Sequence, residues 1–277
     1  MMMGVAQGLF KMFNLVAYTK QDGTIYVNTL DSFYATSTTY DITKYIDVNT
    51  SAVDVALPYR EINFTYKGLG TFLAAQWEQL NVAKWGAESF NGDGNLDGGI
   101  YSVVAPFEHM LFERLVDLND PTGGTQTTAM YGYCTNDNQQ PYIGSPILFY
   151  PILKTGGATT TISFLQTPNT HIALTSYVLP SNSVSLAAST STANINFGLM
   201  TNEYTGLNNY TGTLYQNYYS SYIENLFLQN SRLVRYTAYL PLHIILNYTL
   251  ADILVVNGQQ FRINSLNINL TNNKSQI

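Results

Sequence analysis

The sequence predicts an α+β fold that is mostly β, with antiparallel β-barrel or sandwich domains and two principal helices at about 71–85 and 214–229. Three observations predict it. Charged residues make up 11% of the 277-residue chain, against about a quarter in ordinary globular domains, while 22 tyrosines and abundant Thr and Asn suit pleated surfaces and turns. The pairs Asp22-Gly23 and Asn257-Gly258 each separate two apolar runs, the strongest short-range signal of a hairpin. Only two long stretches combine apolar spacing of helical period with plausible end signals.

Taken in order, Val5, Leu9, Met12 and Phe13 recur at helical spacing, so a short amphipathic helix opens the chain, weakened by Gly4 and Gly8. Around Asp22-Gly23, residues 14–18 and 24–30 form a hairpin. Residues 40–47 read as a helical turn or a strand-like connector. In Glu61 to Lys67, Ile62, Phe64 and Tyr66 share one face, which predicts a half-buried strand closed by Gly68. Thr71 is a plausible N-cap for the helix 71–85, with Gly86 just past its end. Ile100 to Phe107 reads as a strand. Long Gly/Thr/Ser/Asn loops follow at about 119–129, 155–161 and 180–213, and loops of that length in a compact domain are functional or ordered by partners. The second helix carries an apolar stripe of Tyr218, Tyr222, Ile223, Leu226 and Phe227.

The closing hairpin turns at Asn257-Gly258. After it, Phe261, Ile263 and Ser265 share a face, whereas Leu266, Ile268 and Leu270 are one residue out of phase, which predicts a bulge or kink at Ser265-Leu266. Residues 271–275 then look like a turn with only Gln276 and Ile277 beyond it, where another strand is expected. The expectation is that part of the protein is missing there.

The domain division expected from composition places a β-rich domain with helix 71–85 at 1–90. A second β-rich domain, with the long loops and the closing hairpin, occupies 91–277. The two can share a sheet, and another reading places strands from both ends in one barrel with the middle as an insertion. No repeat of fixed period is visible, which counts against a solenoid, a propeller or a repetitive fibre shaft.

A net charge of −6 with scattered basic residues offers no patch for counterion release, so affinity-driven nucleic-acid binding is not expected. No apolar run reaches the length of a membrane span, and the first residues lack a basic leader pattern. The single Cys134 cannot form an internal disulfide and reads as a small buried hydrophobe.

Candidate chemistry is sparse. Asp93, Asn95 and Asp97 followed by Gly98 match the first half of an EF-hand calcium loop, but Val104 stands where the bidentate Glu is required. A tight surface turn collects the same residues. Glu108, His109, Glu113 and Asp117 bring carboxylates and an imidazole close in sequence, yet neither a helical nor an extended reading gathers them around a substrate. His171 and His243 sit in strand-like contexts without metal-ligand spacing. No nucleophile elbow, phosphate loop, dinucleotide fingerprint or zincin helix occurs, so no enzyme, catalytic residue or cofactor is expected. Sequons begin at Asn49, Asn63, Asn209, Asn247, Asn269 and Asn273, about as many as an Asn- and Thr-rich chain collects by chance.

Residues 10–16, 40–47, 60–66, 104–110 and 146–150, together with the closing hairpin, resemble virion structural proteins of tailed bacteriophages. The likeness runs from about residue 8 to the end of the chain and is nearest to tail hub and baseplate hub components. It implies domains of tail-tube or hub type in a homo-oligomeric ring, a trimer or a hexamer. Such a ring would join the tail tube to spike or fibre proteins in the virion, and DNA would pass through its lumen without specific binding. The alternative is a receptor- or glycan-binding tail fibre or adaptor protein, with a Tyr/Trp-lined pocket on a distal surface.

Overall fold

A computed structural model of the chain describes residues 2–20, 22–55, 59–68, 70, 75, 78–79, 82–91, 98–108, 113–116, 127–130, 136, 138, 140, 144–155, 162–167, 170–185, 192–198, 211–226, 232–269 and 274–277. The protein is mostly β, with 42% of it in strands, few helices and several separate sheets. Among the described residues no sheet closes into a barrel, so the barrel alternative is not met.

Helix α1 (Met2–Met12) leads into strands β1 (Leu15–Thr19) and β2 (Ile25–Thr29), helix α2 (Leu30–Tyr34), strand β3 (Thr39–Asp41), a 3-10 turn at Thr43–Tyr45 and strand β4 (Ile46–Val55). Strands β5 (Glu61–Tyr66), β6 (Glu88–Asn91), β7 (Ile100–Ala105), β8 (Glu113–Val116), β9 (Thr127–Met130), β10 (Tyr150–Thr155), β11 (Ile162–Thr167), β12 (Thr170–Leu174) and β13 (Ser176–Ser181) follow. A π-helical turn at Tyr215–Tyr219 continues into α3 (Ser220–Leu226), and then come β14 (Arg232–Tyr239), α4 (Leu242–Asn247), β15 (Ile253–Val256), β16 (Gln259–Arg262), β17 (Asn267–Asn269) and β18 (Lys274–Gln276).

Two compact units interleave along the chain: 1–11, 62–90 and 101–217 form the first, and 12–61, 91–100 and 218–277 form the second. In the second, β4 and β14 pair antiparallel although almost two hundred residues separate them, within a sheet ordered β17-β18-β14-β4. A second sheet, β16-β15-β3, joins β15 to β3 in parallel. Ile42, Ala238, Leu240, Ile244, Leu254, Val256 and Ile263 form one buried cluster from these elements. The buried Asp252 ties the parallel pair's approach together, because its carboxylate accepts from the Thr38 N–H at 2.7 Å and the Thr249 N–H at 2.6 Å.

The Asn257-Gly258 turn forms as its sequence requires, with φ of 50° and 79° at the two central residues. The register slip beyond it is a true break. Phe261 packs against one sheet's core and Ile263 is buried, then the chain leaves β16 and enters the other sheet as β17. The turn expected at 271–275 does not run its full length, because Lys274–Gln276 is a strand, placed between β17 and β14. Ser275 lies opposite Ala238, both fully buried, so two small side chains let the strands sit against the core.

The Asp22-Gly23 hairpin also forms, closed by Gly23 at φ 82°, and Thr29 caps α2 by accepting from the Ser32 N–H at 3.3 Å. The 40–47 segment takes both of its readings in turn, strand β3 and then a 3-10 turn.

In the first unit, β5 alternates as expected, with Ile62, Phe64 and Tyr66 buried at the centre of sheet β6-β5-β7. The Phe64 ring lies 5.6 Å from Phe197, which in turn lies 5.3 Å from Tyr66. Gly8 in α1 is a packing contact rather than a weakness, since a Cβ there would come within 2.5 Å of the Phe107 ring. Most of the helix expected at 71–85 lies outside the described residues. Its expected end is corrected: Val82 takes φ 54° and donates to the Glu78 carbonyl at 2.9 Å, so the helical path stops short of Gly86. The helix expected at 214–229 is present from Leu214 to Leu226, opening with a π turn, and 227–229 lie outside the described residues.

Candidate interaction surface

The stretch 180–213 that reads as a long polar loop contains buried structure. Asn194, Ile195, Asn196 and Phe197 are all buried. Their backbone amides are engaged: Asn194 N–H donates to Gly212 O at 2.8 Å, Ile195 N–H to Asn182 O at 2.8 Å and Phe197 N–H to Gly86 O at 2.9 Å. Asn196 O accepts from Leu214 N–H at 2.9 Å, and the Asn194 side chain accepts from Asn196 N–H at 2.8 Å. Tyr66 donates its hydroxyl to Ile195 O, and burial holds that hydroxyl well above the usual tyrosine range, with the Tyr150 phenol adding to the shift. Short-range Asn signals read as turns here, but the turns face inward and peg the loop to the aromatic core.

The first unit exposes a different kind of structure. Strands β10 and β13 pair from Tyr150↔Ser181 to Thr155↔Ser176, and β11 and β12 pair from Ile162↔Leu174 to Thr167↔Thr170. Only Thr175 separates β12 from β13, so the two ladders are successive parts of one long hairpin. Each is a two-stranded sheet with no third strand among the described residues. Such a ribbon is at best marginally stable alone in water.

Its side chains reinforce this. Leu153 and Val178 are directly opposed across the ladder, yet they are 63% and 54% exposed. Ile147, Phe149, Leu174 and Val184 are further exposed apolar residues in the segments that bound the ladder. At the ribbon's base Pro151 faces Pro180. Neither has an N–H to donate to the ladder, and Pro151 is exposed whereas Pro180 is buried. The face that carries Leu153 and Val178 is open to contact.

Asp93, Asn95 and Asp97 lie outside the described residues, as do His109, Asp117 and Cys134. Glu108 is buried, forms a bridge with Ile147 and donates its N–H to Pro146 O at 3.1 Å, which is a structural placement. Glu113 lies on β8 and His171 on β12. The strand-like context expected for His243 is corrected: it is exposed on helix α4, which begins after Pro241, and a short apolar run cannot be assigned to strand or helix by periodicity alone. Among the described residues no cluster of three or more His, Cys, Asp or Glu could hold a metal ion. No helix among them is long and apolar enough to cross a membrane.

Comparison of the chain with protein-family models, curated proteins and solved structures finds no match.

Proposed function

We propose that this protein is a non-enzymatic structural component of a phage tail, an oligomeric hub or baseplate ring that joins the tail tube to spike or fibres and lets DNA pass. The observation that carries the oligomeric part is the opposed, exposed pair Leu153 and Val178 on a two-stranded ribbon. Burying such a pair against a neighbouring copy removes apolar surface from water at about 25 cal/mol per Å², and repetition around a ring multiplies the gain. A net charge of −6 suits a lumen that DNA slides through without adhering. The tail assignment itself rests on the sequence resemblance.

The test is the copy number and shape of the purified chain, by light scattering and negative-stain microscopy. A closed ring of three or six copies is the expected outcome. The double substitution Leu153→Lys with Val178→Lys is expected to shift the population to monomer while leaving the circular-dichroism spectrum unchanged. A wild-type chain that stays monomeric at every concentration overturns the reading.

A further inference from the structure

In the first unit one fully buried side chain keeps polar atoms that its neighbours do not answer. Both the Oδ1 and the Nδ2 of Asn196 are enclosed, and neither has a hydrogen-bond partner among the described residues. The backbone of the same residue is satisfied on both sides. Its N–H donates to the Asn194 side-chain oxygen at 2.8 Å, and its carbonyl accepts from the Leu214 N–H at 2.9 Å. The residue is therefore pinned in place, and only its amide is left over.

The surroundings are polar as well as buried. Asn194, which touches Asn196 through its side-chain oxygen, is buried, and so is Thr213, which precedes the Leu214 whose N–H binds Asn196 O. Asn182 gives its backbone carbonyl to the Ile195 N–H, and its own Oδ1 is enclosed with no donor among the described residues. A carboxamide presents two N–H donors and an oxygen with two lone pairs. Leaving them unmet in the interior costs more than an ordinary hydrogen bond returns. Folded proteins complete such places with a bound water that makes about three hydrogen bonds.

We propose that the Asn196 side chain binds an ordered internal water, which carries its hydrogen bonds on to the buried polar groups beside it. The chemistry of the amide selects this occupant. A cation is repelled by the amide hydrogens, an anion is repelled by the amide oxygen, and an apolar group leaves both ends unmet. Water both donates and accepts, so it answers the oxygen and the nitrogen alike. Segment 192–198 is then held to the core by its backbone bonds to Gly86, Asn182 and Gly212 and, at its middle, by the water. The site is independent of the oligomeric reading, since Asn196 lies outside the ribbon.

The test is a crystal structure of the full chain at a resolution that shows ordered water, with thermal unfolding of Asn196→Leu beside it. A water is expected about 2.7–3.2 Å from the Asn196 side chain, with at least one further protein partner. Asn196→Leu keeps the approximate shape and removes every polar atom of the side chain. It is expected to lower the thermal midpoint by at least about 2 °C, because the groups that the water serves lose their partner. Should that variant fail to fold, the wild-type structure decides alone. The proposal is overturned by an Asn196 amide bonded directly to protein groups at both of its atoms, or by an enclosed amide with no water against it. It is also overturned by a midpoint that Asn196→Leu leaves unchanged or raises, since that is what replacing an unmet buried amide with an apolar group does.

Discussion

The two units solve the same compositional problem in opposite ways. Both are built from Tyr-, Thr- and Asn-rich strands with few charges. In the second, strands from distant parts of the chain pair into sheets of four and three strands over a shared apolar cluster. In the first, an aromatic core around Phe64 and Phe197 supports one three-stranded sheet, while β8 to β13 form two-stranded ribbons. The difference shows what additional strands contribute. A third strand gives a sheet an inner face to bury, and a ribbon must borrow that face from elsewhere.

Truncating one apolar strand residue in each region gives the sharpest test. Leu254 is 3% exposed on the central strand of its sheet and belongs to the buried cluster, so Leu254→Ala is expected to cost about 2–5 kcal/mol. Leu153, at 63% exposure, is expected to cost the isolated chain less than about 0.5 kcal/mol on the same change. Urea midpoints of the two variants, measured at concentrations where the protein is dispersed, check this. Equal losses would mean that the ribbon is covered within a single chain.

The next largest effect lies in the first unit. Gly8→Ala places a methyl group 2.5 Å from the Phe107 ring and 2.8 Å from Pro106 Cγ. In an exposed helix the same change would stabilise, because alanine loses less conformational freedom than glycine. Here the clash is expected to win, with a loss of about 1–3 kcal/mol. A thermal midpoint that rises on Gly8→Ala would show that α1 does not pack as described.

These residues also show where the sequence was readable. Both Gly-containing hairpins, the alternation of β5 and the start of the helix at Leu214 follow from signals contained within a few neighbouring residues, and all are present. Pairings set by distant partners were not readable. Nothing near Thr39 announces that it lies beside Ile253, and nothing in Lys274 to Gln276 distinguishes a three-residue strand from a turn. Asn194 and Asn196 misled for a related reason, because their turn chemistry is correct but only Phe197 hinted that the turn faces inward. Gly8 reads as a helix breaker until Phe107, almost a hundred residues away, is placed against it. The contact of Arg262 with the Tyr34 ring depends on the same long-range assembly.

The smallest effect is one of pH. Glu88, half-buried on β6, has its carboxyl raised above the ordinary value of 4.5 because burial disfavours the charged form. The folded state therefore holds the proton more tightly than the unfolded chain does. Between the ordinary carboxylate value and the raised folded value, stability falls as pH rises, and above that window the loss is complete and constant. Glu88→Gln removes the ionisation while keeping the shape. It is expected to raise the thermal midpoint slightly at neutral pH, with the gain shrinking to nothing as pH is lowered past the ordinary carboxylate value. The penalty remains small because much of the side chain still reaches water. A gain from Glu88→Gln that persists unchanged in acid would assign the effect to packing against Gly198, whose backbone lies beside the Glu88 carboxylate, rather than to charge.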